Sequence, residues 1–177
     1  EGRAMIELSY DVAPGASFQF HTAFEGQANF AQGILDLEAA GSNIIVDDII
    51  YFAEPMFQDG IIAQAVDDVV AAGVPYFSSA GNASDQSYES EFRGVTDPLS
   101  PDLLFHDFDP GPGVDILQAF ELNNLESTLL SFQWDEPFAS AGGAGSANDL
   151  DILILDDFGN LLTAGANLNV GGDAVEV

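Results

Sequence analysis

The chain has 177 residues, enough for one compact domain or two small ones, and its 47% hydrophobic content can bury a core. Thirty acidic residues stand against two arginines, a formal net charge of -28, so its surface repels phosphate backbones and anionic lipid. Nucleic acid and membrane are thereby excluded as partners, and the absence of cysteine excludes disulfides and thiolate-bound zinc.

So acidic a surface stays soluble where salt screens its self-repulsion, which favours a saline, extracellular (secreted) setting over ordinary acidic bias. The apolar runs are too short for a membrane span. The first residue is Glu1, and Asp173 to Val177 reads as a strand stopped in mid-course, so the chain is expected to be cut from a longer frame.

In chain order, Gly2 to Tyr10 predicts a short helix closed by Pro14-Gly15, and Ser17 to Ala23 a strand. Gln27 to Ala40 predicts a helix with Phe30, Ile34 and Leu37 on one face and Gly41 as its stop. Ile44-Ile45-Val46 is a buried strand ending in Asp47-Asp48. Ile61 to Ala72 is a helix with Ile62, Ala65, Val66, Val69 and Val70 on its apolar side, and after Gly73 comes a strand over Val74 to Phe77. Strands separated by such helices imply parallel pairing, with chemistry at the strands' carboxyl ends, where Asp47, Asp48 and Asn82 fall.

After Asn82 the helical period is lost. Asn82 to Pro101 is polar and without pattern. Val114 to Leu122, Ser127 to Trp134 and Leu150 to Leu155 predict strands, joined by turns such as Phe158-Gly159-Asn160. The expected fold class is α/β: a parallel-sheet segment over 1–100, followed over 101–177 by a small antiparallel β-sandwich or jelly roll, itself truncated.

Four pieces of the first half resemble subtilisin-like serine peptidases in order and spacing. Glu1-Gly2-Arg3-Ala4-Met5-Ile6 resembles the helix start that reads His-Gly-Thr-x-Val-Ala, and Val12-Ala13-Pro14-Gly15-Ala16 the turn that follows it. Asn43 to Asp48 stands at the place of the strand bordering the substrate cleft. Val74 to Asn82 resembles the strand ending in Ala-Gly-Asn. The resemblance implies a secreted serine endopeptidase acting on a polypeptide substrate, with Asn82 donating to the oxyanion, where one such donor contributes ~10²–10³ in rate. A turn asparagine tolerating a left-handed backbone is the bland alternative.

Glu1 falls where the family has its general-base histidine. Sedolisins, relatives of the subtilases, use glutamate there, but they pair it with an aspartate at the place of Met5 and replace the oxyanion asparagine by aspartate, so this chain is a hybrid. Asp47 or Asp48 is the carboxylate that would couple to Glu1 as base, since two close carboxylates resist ionising together. A helix-capping Glu1 or a decayed site is the other reading. No Gly-Thr-Ser-x-Ala motif occurs, and Ser78 and Ser79 lie inside a strand, so the chain alone should be inactive. His21 reads as a core or edge residue and His106 as a surface strand residue.

The second half, from Phe105-His106-Asp107-Phe108-Asp109 through Asn148 to Asp156, resembles pre-peptidase-type sandwich modules. Asp149 and Asp151 alternate with Leu150 and Ile152 and share one face, an oxygen pair suited to calcium as cofactor. A solvated strand face is the plainer reading of the same pair. Two rival functions stay open: a pseudoprotease that keeps the fold as a scaffold, and a calcium- or polymer-binding role for the sandwich.

Overall fold

A computed structural model describes residues 2–82, 86–98, 100–122 and 127–177. It is a mixed α/β structure built on short two-stranded sheets, one parallel and the others antiparallel among the described residues. Two compact units divide the chain: residues 1–81 with 129–177, and residues 82–128.

In the first unit, helix α1 spans Gly2–Val12 and buries none of its residues. Helix α2 spans Gln27–Ala39 and α3 spans Ile61–Ala71. They pack together through Phe30, Ala31 and Ile34 from α2 and Ile62, Ala65 and Val69 from α3, with Ile45 completing the core. These are the apolar faces that the 3.6-residue period marks. Val70, read onto the same side of α3, is instead 50% exposed, at the rim of the stripe.

Both helices stop the same way. Gly41 and Gly73 adopt φ of 89° and 93°, which costs a residue without Cβ little. Gly41 N–H donates to the Glu38 carbonyl at 2.8 Å and Ser42 N–H to Leu37 at 3.1 Å. Gly73 and Val74 repeat the pattern on Val70 and Val69, each at 3.0 Å. This paired closure satisfies the orphan carbonyls of each last turn and turns the chain into the following strand.

Strand β1 (Ile45–Asp47) and strand β2 (Tyr76–Ser78) are joined through α3 and pair in parallel, as the helix–strand alternation predicts. The register sets Ile45 against Tyr76, Val46 against Phe77 and Asp47 against Ser78. Ile45 is buried, but Val46 and Phe77, partners in register, are each 57% exposed. The expectation of a buried strand over Ile44-Ile45-Val46 therefore needs correction: Ile45 alone of the three is buried, and Ile44 and Val46 are exposed.

The predicted strand over Ser17–Ala23 is also corrected, because this segment has no ladder partner. Its His21 ring lies against α2 at Gly33, where an added Cβ would run into the imidazole, and Nδ1 of His21 donates to the Thr22 carbonyl at 2.9 Å.

The same unit contains short strands from the end of the chain. Strand β5 (Phe132–Gln133) pairs antiparallel with β8 (Val175–Glu176), and β6 (Ile152–Leu155) with β7 (Leu161–Gly165). The β6–β7 hairpin turns on Asp156, whose Oδ1 accepts from the amides of Phe158 (2.9 Å) and Asn160 (2.8 Å). Of the predicted strand Ser127–Trp134 only Phe132–Gln133 forms a ladder, because β8 offers just two residues to pair with.

This part is tied to the α/β part by specific hydrogen bonds. Gln133 donates from Nε2 to the Glu54 carbonyl (2.8 Å) and accepts the Met56 amide at Oε1 (3.0 Å). Phe138 N–H donates to Oε1 of Gln58 at 3.1 Å. Packing joins 129–177 to 1–81 in one compact unit.

The second unit holds a hairpin of β3 (Gly94–Asp97) and β4 (Ser100–His106), inside and beyond a stretch that reads as patternless in sequence. The strand predicted over Val114–Leu122 does not form, since among the described residues no segment pairs with it. Instead Asp107 organises the approach to it: its Oδ1 accepts the amides of Asp109 (3.0 Å) and Asp115 (2.9 Å).

Candidate functional site

The parallel pair puts two side chains with chemistry at its last register position. Asp47 ends β1, Ser78 ends β2, and Ser78 Oγ donates to Asp47 Oδ1 at 2.8 Å. The Tyr76 hydroxyl, two residues back on β2 and so on the same face, donates to the other oxygen, Oδ2. Asp47 is held by two hydroxyls across the strand boundary.

A cavity of about 300 Å³ opens beside this group, at the carboxyl ends of β1 and β2. Its polar wall is Asp47, Tyr51, Glu54, Asp67, Tyr76 and Ser78, and its floor is apolar, with Phe30, Ile62 and Val66 of the helix pair. Such a crevice at the carboxyl ends of parallel strands is where open α/β sheets place ligands.

The electrostatics follow from burial and crowding of negative charge. Burial raises the Glu54 carboxyl above its ordinary range, and Asp47 adds to the effect. Burial also raises the Tyr76 phenol, reinforced by its hydrogen bond to Asp47, and the Tyr51 phenol, reinforced by the Glu54 charge. Tyr51 donates its hydroxyl proton to the Ala23 carbonyl at 2.6 Å, which fixes the ring beside Phe30. The site sets the hydroxyl-bound Asp47 beside a carboxyl, Glu54, that burial biases towards holding a proton.

The sequence-predicted residues separate in the structure. Asp47 lines the cavity, whereas Asp48 is not among its lining residues and is exposed. Asn82 is exposed and begins the second compact unit, directly after Gly81 at φ 71°. Glu1 lies outside the described residues. Asp149 accepts the Asn169 amide at 2.9 Å, and Asp151 is exposed. Among the described residues no group of three or more His, Asp or Glu side chains gathers to hold a metal, so Asp149 and Asp151 stay a pair without further carboxylate or imidazole ligands.

Sequence reasoning missed Tyr51, Glu54, Asp67 and Tyr76, and set Ser78 aside as a strand residue. Two signals were available. Ser78 and Tyr76 share the parity of one strand face, and Asp67 falls one turn beyond Ala63 on α3. Tyr51 and Glu54 lie on an irregular segment, where no period marks which way a side chain turns.

A second carboxylate is organised in the first unit without a cavity. Glu136 accepts from the Ser146 hydroxyl, from the amides of Ala147 (2.8 Å) and Asn148 (2.9 Å), from the Asn148 side chain and from Trp134 Nε1 (3.3 Å). These donors, led by Ser146, hold its carboxyl at about 2. Four of these donors meet on Oε2 and one on Oε1, so this is a structural clamp for the loop around Ser146.

Among the described residues no helix is long and apolar enough to cross a membrane. No family model, no curated protein and no solved structure matches the chain.

Proposed function

We propose that this chain is part of a subtilisin-like serine endopeptidase, a secreted enzyme that hydrolyses polypeptides, with a parallel-sheet catalytic segment followed by a pre-peptidase-type sandwich module. The observation that carries the reading is the Asp47–Ser78 pair beside a cavity at the carboxyl ends of β1 and β2. It lies on the two strands that carry the motif resemblance, at the end where a parallel sheet places a substrate cleft.

In this reading Asn82 donates its side-chain amide to the oxyanion that forms as the scissile carbonyl is attacked. Glu1 is the general base, and the serine nucleophile comes from residues outside this chain, because none of its own serines stands in a Gly-Thr-Ser-x-Ala setting. The hydroxyl-bound Asp47 forms part of the cleft's polar wall and, with Glu54 and Asp67, disfavours acidic substrate side chains. Asp48, exposed, is the weaker candidate for coupling to Glu1.

One observation favours a rival. Glutamate in place of the family's histidine suits a pseudoprotease, a scaffold that binds peptide through the same cavity without cleaving it. A further rival, binding of a surface polymer or calcium by residues 101–177, with Asp149 and Asp151 as the calcium ligands, predicts thermal stabilisation by millimolar calcium.

The test is peptide hydrolysis by the product of the complete reading frame. Asn82→Ala should lower kcat by about 10²–10³ with KM little changed, the mark of a donor used only in the transition state. A complete frame without a Gly-Thr-Ser-x-Ala motif, or hydrolysis indifferent to Asn82→Ala, would overturn the peptidase reading.

A further inference from the structure

His106 closes β4 in the compact unit 82–128, and both of its ring nitrogens are engaged. The Arg93 amide donates to Nδ1 at 3.2 Å. Nε2 lies 3.1 Å from Ser90 Oγ and 3.1 Å from the Tyr88 hydroxyl. The ring is packed against Phe108 at 4.7 Å between centroids, Phe92 at 5.5 Å and Tyr88 at 6.0 Å.

A backbone N–H can only donate, so Nδ1 must be the acceptor and the single proton of the neutral ring sits on Nε2. That tautomer decides what the cluster does. Although a serine hydroxyl faces the imidazole, the ring presents it an N–H and cannot take its proton, so Ser90 and His106 are not a nucleophile and base. What the arrangement can do is respond to a second proton. Protonation at Nδ1 would set two donors, Nδ1–H and the Arg93 amide, against each other across the gap that now holds a hydrogen bond.

We infer that His106 is a proton-operated latch on one amide: the neutral imidazole accepts the Arg93 N–H, and protonation releases that N–H. The Asp107 amide, donating to the Arg93 carbonyl (2.8 Å), and Arg93 Nη2, donating to the Asp107 carbonyl (2.6 Å), keep Arg93 beside the end of β4. The groups around the ring favour the neutral form. Burial among the three aromatic rings penalises the cation, and the Arg93 guanidinium repels it. Asp107 opposes them, but its Oδ1 already accepts the amides of Asp109 and Asp115. Gly94, which pairs with His106 across the ladder, has no side chain.

The latch would open as the medium acidifies. The folded ring's affinity for a proton lies below the ordinary 6.5, so the folded state binds fewer protons than the unfolded one near that pH. The stability that His106 contributes is present above 6.5 and is lost as pH falls through the lower folded value.

The experiment is an NMR pH titration of the full chain that follows the histidine Cε1–H signals and the exchange protection of the Arg93 amide together. The chain has two histidines, so His21→Gln assigns the signals. The expected result is a His106 midpoint below 6.5, coincident with a loss of Arg93 amide protection of about tenfold or more. In His106→Gln, whose side-chain oxygen accepts from the same amide but does not titrate, protection should persist through that range. Titration of His106 with no change at Arg93 would overturn the latch. So would loss of protection at the same pH in His106→Gln, which would assign the transition to carboxylates. If that variant fails to fold, coincidence of the two transitions in the unaltered chain still decides.

Discussion

Ser78 Oγ donates to Asp47 Oδ1 at 2.8 Å across the last register position of the parallel pair, and Tyr76 takes the second carboxylate oxygen. Removing Asp47 leaves two hydroxyls without an acceptor, whereas removing Ser78 leaves Asp47 one of its two. Asp47→Ala should therefore destabilise by about 1–3 kcal/mol and Ser78→Ala by about 0.5–1.5 kcal/mol. Urea unfolding of the two variants and their double should give costs that do not add, since both remove one bond. Additive costs would mean that the bond contributes nothing.

The contact of α2 with α3 supplies a contrast in size. Ile34 is 2% exposed at the centre of this interface, while Val70 on α3 is 50% exposed at its edge. Ile34→Ala should cost about 2–5 kcal/mol through lost burial and an unfilled cavity, and Val70→Ala within about 0.5 kcal/mol. Thermal unfolding of both variants checks the ratio, and comparable costs would contradict the placement of the core.

Acid should act on the Glu136 clamp in a defined window. Five donors hold its carboxyl at about 2, below the ordinary 4.5. Its stabilising contribution is present above 4.5 and is lost as pH falls from there through about 2. Glu136→Gln should flatten the dependence of unfolding free energy on pH within that window and leave the slope above it unchanged. An unchanged slope between 4.5 and 2 would show that other carboxylates govern acid unfolding.

Salt should stabilise this chain. With a formal net charge of -28, self-repulsion opposes compaction, and raising NaCl from about 0.01 to about 1 M shortens the Debye length from about 30 to about 3 Å. The Tm should rise steadily over this range. A Tm indifferent to salt would remove the physical basis for a saline setting.

Helices α2 and α3, their glycine stops and the parallel pairing were legible in sequence because each rests on local rules. A 3.6-residue apolar period, a left-handed glycine after the last turn and the length of a crossover act over a dozen residues or fewer. The same rules placed Asp47 at a strand end. They overstated Ser17–Ala23 and Val114–Leu122, because alternation marks a segment able to be a strand, and a ladder also needs a partner edge. They missed β3, which lies inside a stretch that reads as polar and patternless.

What the sequence determined by itself is therefore the charge, the helix pair and the strand ends, all properties of neighbouring residues. Tertiary structure alone decided that Tyr76 and Ser78 share Asp47, that Glu54 sits half-buried beside it, and that residues 129–177 pack with 1–81. Those facts depend on register and on contacts between residues far apart in the chain, such as Gln133 with Glu54 and Met56. No local period encodes such contacts; they follow from which surfaces can be buried together.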